Sequence, residues 1–308
     1  MANLTAEAER LVEASLATNT WRLYESAIRI FEQFRCQFSL PNVWPAPVDH
    51  LVHFIAHLSL TGRSFRTARS YLEALKTWHK LNGLHHFGSH FLVKKTMAGF
   101  ARQRQNKDIR LPITIDILSL IVRSLPAVCS STYETSLFAA AYLLSFFGFF
   151  RISELIPESA KDTSGRACLR SDVTMAYRNA QLIIHLRSSK TDQSGKGVKV
   201  ILIAVPDSKL CPVAAMQHYL TIRPRVSNYL FIHFDGRPLT RFQYQALLKK
   251  ALAFYSPNLN LHLYSAHSFR IGAATTAARN GCSTSQICQF GRWKSNCFNT
   301  YIRTSHLQ

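Results

Sequence analysis

The chain has 308 residues, with 37 Lys+Arg against 17 Asp+Glu, a formal net charge of +20 and a pI near 10.0. Hydrophobic residues make up 47% of it, which excludes a disordered tail and leaves room for two domains of ordinary size. A cationic excess of this size on a foldable chain argues for a polyanionic partner, with a merely soluble basic protein as the plainer alternative.

Taken in chain order, TWRLYESAIRIFEQFR (20–35) places Trp21, Tyr24, Ile28 and Phe31 at helical spacing. PNVWPAP (41–47) breaks the chain, and VDHLVHFIAHLSL predicts a second helix with Asp49 near its start. RSFRTARSYLEALKTWHKLNG predicts a third, with Tyr71, Leu75 and Trp78 suited to a core and Arg66, Arg69, Lys76 and Lys80 left for a partner surface. A basic fourth helix is expected at about 91–104, completing a small helical bundle. The polar stretch RQRQNKDIRLPIT (102–114) is expected to be a linker.

Helices are then expected at about 114–125 and 132–149. The period changes in DVTMAY, QLIIHLRSS and VKVILIAV, which predict a small antiparallel sheet. Helices resume at Pro212, at Thr240 and from His267 to Ala278, where Asn280-Gly281 is a strong stop. The predicted class is α+β, mainly α.

Residues 1–60 carry 4 basic and 6 acidic side chains, and the remainder 33 and 11, with no dense Lys/Arg tract. The excess therefore belongs to folded surfaces and not to a tail. The seven cysteines are odd in number and form no C-x-x-C pair, which points to reduced thiols in an intracellular protein. His85, His86 and His90 have no carboxylate or cysteine close by in sequence, so a loop without metal is expected. The N-terminus lacks a signal-peptide layout. TSLFAAAYLLSFFGFF (135–150) is short for a membrane span and reads as a buried helix, so no membrane partner is expected.

His267 and Arg270 stand three apart at the start of a helix and point to one side. Arg151, in GFFRISELI, needs either Glu154 or a bound anion beside so much apolar sequence. Lys190 lies on the turn RSSKTDQSGKG, and Trp293 and Tyr301 close the series in GRWKSNCFNTYIR. Taken singly, Lys190 could be a solvated lysine, Trp293 packing, and Tyr301 a core aromatic at the end of a last helix.

In that order, Arg151, Lys190, H-x-x-R at 267–270, GRW at 291–293 and Tyr301-Ile-Arg resemble the tyrosine recombinase (phage-integrase) family over essentially the whole chain. The KTDQ turn and the GRWKS…YIR ending look most similar to recombinases of DIRS-like and crypton-like eukaryotic mobile elements. The resemblance implies an N-terminal helical, SAM-like core-binding domain over 1–106. It implies a catalytic domain with a small antiparallel sheet over 111–308.

The implied reaction is phosphoryl transfer from double-stranded DNA to Tyr301, giving a 3′-phosphotyrosine and a free 5′-hydroxyl. Arg151 and Arg270 would offset charge on the non-bridging oxygens. His267 would assist proton removal or steady the phosphate, and Lys190 would protonate the leaving oxygen. Trp293 would donate through its indole N–H, and Glu154 would orient the neighbouring basic groups. Trp293 precedes Tyr301 by eight residues, one fewer than in many bacterial and phage relatives, so Arg292 is the other candidate for that position.

No metal, cofactor or ATP is required by this scheme. The resemblance implies a homo-oligomer, a tetramer on DNA, coupled in relatives by a C-terminal segment longer than the seven residues after Tyr301. It also implies nuclear action. A relaxing enzyme like the type IB topoisomerases, or a DNA-binding protein without catalysis, would share many of these features.

Overall fold

The computed structural model describes residues 1–103, 108–178, 180–187 and 197–303. The chain divides into two compact units, Met1–Asp108 and Ile109–Gln308.

The first unit is helical: α1 (Ala2–Ala14), α2 (Thr18–Gln37), α3 (Val48–Leu60), α4 (Phe65–Leu81) and α5 (Phe91–Gln103). The periodicity of 20–35 is the buried stripe of α2, where Ala27, Phe31 and Phe34 meet Leu51 and Phe54 of α3. α4 starts at a Ser64 cap, whose hydroxyl accepts from the Thr67 N–H at 3.0 Å. It buries Ala68, Tyr71, Leu72 and Leu75.

One element of this unit went unread in the sequence, and one expectation needs correction. The opening residues, for which no helix was expected, form α1, which is almost entirely exposed. Trp78 is only half buried, with its ring 4.0 Å from that of Trp44, and the neighbouring His79 takes the fully buried place. His79 can do so because both ring nitrogens are satisfied. The Ala46 N–H donates to Nε2 at 3.0 Å, which leaves the proton on Nδ1 to meet the Leu75 carbonyl at 2.6 Å. Burial then keeps the ring neutral by pushing its pKa down.

The second unit opens with α6 (Ile115–Val128), α7 (Thr132–Phe147) and the single turn α8 (Ile152–Leu155). A three-stranded sheet follows: β1 (Val173–Ala176), β2 (Gln181–Leu186) and β3 (Val198–Ile203), antiparallel in the order β1-β2-β3. Val173 pairs with Ile184, and Leu186 with Val198. Alternation puts Leu182, Ile184 and Leu186 into the core and His185 out to solvent. The expected α+β class, mainly helical with a small antiparallel sheet, is what the structure shows.

The chain closes with α9 (Pro212–Ile222), α10 (Arg241–Tyr255), α11 (Ala266–Arg279) and α12 (Thr284–Gly291). α7 is the hub of the unit. Its residues from Leu137 to Phe146 are nearly all buried, and it packs on α6, α9 and α11. An α-helix apolar all round belongs inside a core, as the 135–150 stretch implied. Among the described residues no helix is long and apolar enough to cross a membrane.

The incoming segment of this unit is pinned to the start of α11. The Leu111 N–H donates to the Leu263 carbonyl at 2.9 Å and the Ile113 N–H to the Ser268 carbonyl at 3.0 Å. Gly272 permits this approach, because a Cβ there would stand 1.7 Å from the Ile113 carbonyl oxygen. Gly272→Ala should therefore unseat the segment and cost on the order of 3 kcal/mol. Urea denaturation of the two proteins checks this, and an unchanged midpoint would contradict it.

Candidate active site

Arg151, Glu154, His267, Arg270, Trp293 and Tyr301, all picked out in the sequence, come together in the second unit. α7 ends at Phe147, and the Gly148–Phe149 turn, with Phe149 at φ +51°, delivers Arg151 as the N-cap of α8. This replaces the expected continuation of the helix to 149, because the left-handed residue cannot extend it. One α8 turn on, Glu154 reaches back. Its Oε2 accepts from the Arg151 N–H at 2.9 Å and its Oε1 from Arg151 Nη1 at 2.8 Å. The Glu154 side chain is 4% exposed and that of Arg151 18%.

α11 carries His267 and Arg270 in its first turns. Ser265 caps it, and its hydroxyl accepts from the His267 N–H at 3.3 Å. Arg270 is fully buried. Its Nη1 donates to the Phe149 carbonyl and its Nη2 to the Gly291 carbonyl, while Nε meets no partner among the described residues. Burial first, and then the nearby Arg151 cation, push the Arg270 pKa down to about 9. A guanidinium held cationic in such a place is stabilised by any anion that arrives beside it.

The last segment brings the aromatic partners. α12 ends at Arg292, which takes the left-handed conformation at φ +54°. Trp293 then turns back over Gly291, where a Cβ would fall 1.7 Å from its ring. The Trp293 ring lies 4.4 Å from the Arg270 guanidinium and 5.1 Å from the Tyr301 ring. Its Nε1 is buried without a partner among the described residues. The Tyr301 ring is 5.1 Å from that of His267 and 5.9 Å from the Arg270 guanidinium.

Tyr301 does not end an α-helix. It follows the tight 3₁₀ segment Asn296–Thr300, consistent with a Ser/Asn-rich stretch that favours local turns over helix. It is half buried, unlike Tyr142, Tyr219 and Tyr244, which are sealed in the core and hydrogen-bonded there.

Arg292 and Trp293, the two candidates for one position, separate clearly. Arg292 Nη2 donates to Glu154 Oε2 at 2.9 Å and its guanidinium lies 5.0 Å from the Phe150 ring, whereas Trp293 faces Tyr301. Lys190 lies outside the described residues. Thr275 of α11 had drawn no attention in the sequence. Its Oγ1 donates to the Tyr301 carbonyl at 3.2 Å and accepts from the Arg303 N–H at 3.1 Å. Its one signal was a polar residue within the small-residue run GAATTAA.

In the first unit, Arg66, Arg69, Lys76 and Lys80 recur along α4 at spacings of three, four and seven, on the side away from its buried residues. Arg66, Arg69 and Lys80 are exposed, and Lys76 Nζ sits 3.5 Å from Glu73. His86 Nδ1 accepts from the Gly88 N–H at 3.2 Å. Among the described residues no three or more His, Cys, Asp or Glu gather as metal ligands.

Glu154 sits among opposing influences. Burial disfavours its charge, yet Arg292, Arg151, the Arg151 N–H and Arg270 together hold its pKa below the ordinary 4.5. A depressed carboxylate stabilises the fold fully above its unfolded value and loses that contribution as pH falls through the folded one. Glu154→Gln should therefore cost about 3 kcal/mol at neutral pH by leaving the partly buried Arg151 and Arg292 cations unbalanced. The cost should shrink on acidification below the ordinary carboxylate range. Denaturation midpoints of both proteins across that range are the check, and a pH-independent difference would contradict it.

No protein-family model matches the chain. An integrase/recombinase xerD homolog from Selenomonas ruminantium is 25% identical over 305 residues, which cover 95% of this chain and 83% of the relative. Among solved structures, a lambda integrase dimer bound to a COC′ core site matches with a TM-score of 0.66 at 15% identity, covering 99% of this chain and 95% of that one. The Tn1549 transposon integrase in complex with circular intermediate DNA matches at 0.60 and 17%, covering 94% and 90%. XerH recombinase bound to a palindromic difH substrate matches at 0.62 and 16%, covering 92% and 75%. A relative that aligns along most of both chains, and a fold shared with integrases and recombinases, support the tyrosine recombinase/integrase family for this protein.

Proposed function

We propose that the chain is a DNA strand transferase of the site-specific recombinase kind, which breaks and rejoins strands through a 3′-phosphotyrosine on Tyr301. The observation that carries this reading is the convergence of Arg270, His267 and Trp293 on one half-buried tyrosine, with the Arg151 cation near enough to Arg270 to lower its pKa and two buried N–H donors, Arg270 Nε and Trp293 Nε1, without partners among the described residues. Buried donors are ordinarily satisfied. Here a phosphate would satisfy them.

In the reaction, the Tyr301 phenolate oxygen attacks phosphorus, the bond to the 5′-oxygen breaks, and that oxygen leaves with a proton. Arg151, partly exposed, and Arg270 behind it place positive charge where the transition state gathers negative charge. His267, against the Tyr301 ring, accepts or steadies the phenol proton, and Lys190 supplies the proton to the leaving group. Trp293 is the indole donor at the position it contests with Arg292. Two groups, one nucleophile and one leaving hydroxyl, exchange a single phosphoryl link. Reversal by the freed hydroxyl therefore rejoins DNA with no ATP or metal in the scheme.

Double-stranded DNA as partner is supported by the net charge of +20 and by the exposed cations of α4. It is also supported by the relatives, which were captured on DNA. The lambda integrase relative is described as a dimer, and a homo-oligomer, a tetramer during exchange, is part of this proposal. So is the affiliation with DIRS-like and crypton-like recombinases, with nuclear action, which rests on the KTDQ and GRWKS…YIR sequences.

The deciding experiment uses nicked duplexes with randomised sequence in EDTA, followed by denaturation and separation by size. A protein–DNA adduct should form with the natural chain and disappear in Tyr301→Phe, while both retain DNA binding. Binding without an adduct, beside a tyrosine recombinase that reacts in parallel, would reduce the protein to a DNA-binding module. Relaxation of supercoils by a monomer, without joined recombinant products, would instead favour a topoisomerase. Alanine at Arg66, Arg69 or Lys80 should weaken binding alike on all sequences. Each loss should reduce the slope of log affinity against log salt by roughly 1 where the side chain meets a phosphate.

A further inference from the structure

Arg292 is the cation that the reaction above leaves without a part. Its side chain turns away from Tyr301 and is spent on one small region. Nη1 donates to the Gly148 carbonyl at 3.0 Å, and Nη2 to the Phe149 carbonyl at 3.2 Å and to Glu154 Oε2 at 2.9 Å. The side chain is 10% exposed, and its plane rests on Phe150.

Apart from the Phe290 carbonyl, which Nη1 also meets at 3.4 Å, the hydrogen-bond partners of the Arg292 side chain lead to Arg151. Gly148, Phe149 and Phe150 are the three residues that precede it. Glu154 holds it by both backbone N–H and guanidinium. Arg270 also grips the Phe149 carbonyl. On the other side, Arg292 is adjacent to Trp293 and caps α12 in a left-handed conformation. Glycine would take that conformation without steric cost, so what the arginine adds there is its side chain. A lysine could not replace it, because a single ammonium does not present the planar fork that spans two carbonyls and a carboxylate.

We propose that Arg292 is a positioning residue, which sets Arg151 through Glu154 and the Gly148–Phe149 carbonyls and thereby ties the phosphate-binding turn to the segment bearing Trp293 and Tyr301. The proposal rests on the reading of this site as a phosphoryl-transfer centre. It makes the charge at Arg151 and the nucleophile at Tyr301 parts of one clasped unit, so each is in register when the other is.

A double-mutant cycle on adduct formation tests it. The duplex most enriched by wild-type trapping from the randomised nicked pool serves as substrate. Adduct rate, DNA affinity and thermal midpoint are then measured for wild type, Arg292→Ala, Arg292→Lys, Arg151→Ala and the Arg151→Ala/Arg292→Ala double variant. Arg292→Ala should slow the reaction roughly 100-fold, the effect of about 1 Å of misplacement, with little change in affinity. Arg292→Lys should recover only part of the rate. In the Arg151→Ala background, the loss of Arg292 should cost nothing further, because the residue it positions is gone.

Losses that multiply in the double variant would overturn the proposal, as would a wild-type rate in Arg292→Ala. If Arg292→Ala does not fold, Arg292→Gln keeps the aliphatic stem and carries the same cycle. A wild-type chain that yields no adduct beside a reactive control overturns the transfer reading itself, and the positioning role with it. A wild-type chain that reacts, while Arg292 behaves independently of Arg151, overturns only the positioning role.

Discussion

The second unit is organised around the problem of keeping three guanidinium groups, from Arg151, Arg270 and Arg292, inside a largely apolar region. α7 brings an apolar helix to its end at Phe147, and the chain must turn there with its carbonyls exposed to the interior. Two of those carbonyls, Gly148 and Phe149, become acceptors for Arg292, and Phe149 also for Arg270. Glu154 adds a single negative charge among the three positive ones. The turn needs donors and the arginines need acceptors, and neither would be tolerable in the core alone. What remains after that mutual satisfaction is a net positive cluster. Among the described residues Glu154 is the one carboxylate paired with this cluster, so an anion arriving beside it would be stabilised.

Much of this was legible in the sequence, for identifiable reasons. A 3.6-residue period in α2, α3 and α4, and an alternating period in β2, are direct consequences of one-sided burial, and both read correctly. His267 and Arg270 were legible because i,i+3 spacing fixes them on one helix face, and Arg151 because an arginine beside GFF demands a partner. The likeness to a known family joined these points into a site. Local pattern had no means of separating Arg292 from Trp293. Adjacent residues at a helix end point in different directions only once the backbone turns left-handed, and that turn is dictated by the packing of Trp293 over Gly291.

Other misreadings share a single cause: burial is decided by partners far away in sequence. Trp78 and His79 are neighbours on α4, and hydrophobicity alone favours the tryptophan for the core. The Ala46 N–H, 33 residues away, reverses the order by giving the imidazole its acceptor role. Arg35 is a nearer counterpart, buried by the segment that follows its own helix. It is 1% exposed between the Phe31 and Trp44 rings, and donates to the Val43 carbonyl and the Asn42 side chain. α1 is the converse case. Its Leu4 and Leu11 remain exposed, so no buried stripe announced it, and it stands as a helix by local hydrogen bonding.

The seat of Ile113 on Gly272 also determines where force enters the second unit. The polypeptide arriving from the first unit is fastened, through Leu111 and Ile113, to the residues just before α11 and along its first turns. His267 and Arg270 lie on those turns, and Thr275, which holds the Tyr301 backbone, is less than one turn beyond Gly272. A pull on Leu111 and Ile113 is therefore delivered first to the helix that carries His267, Arg270 and Thr275. A change at the Ile113 seat therefore has a short mechanical route, through Gly272 and Thr275, to the backbone of Tyr301.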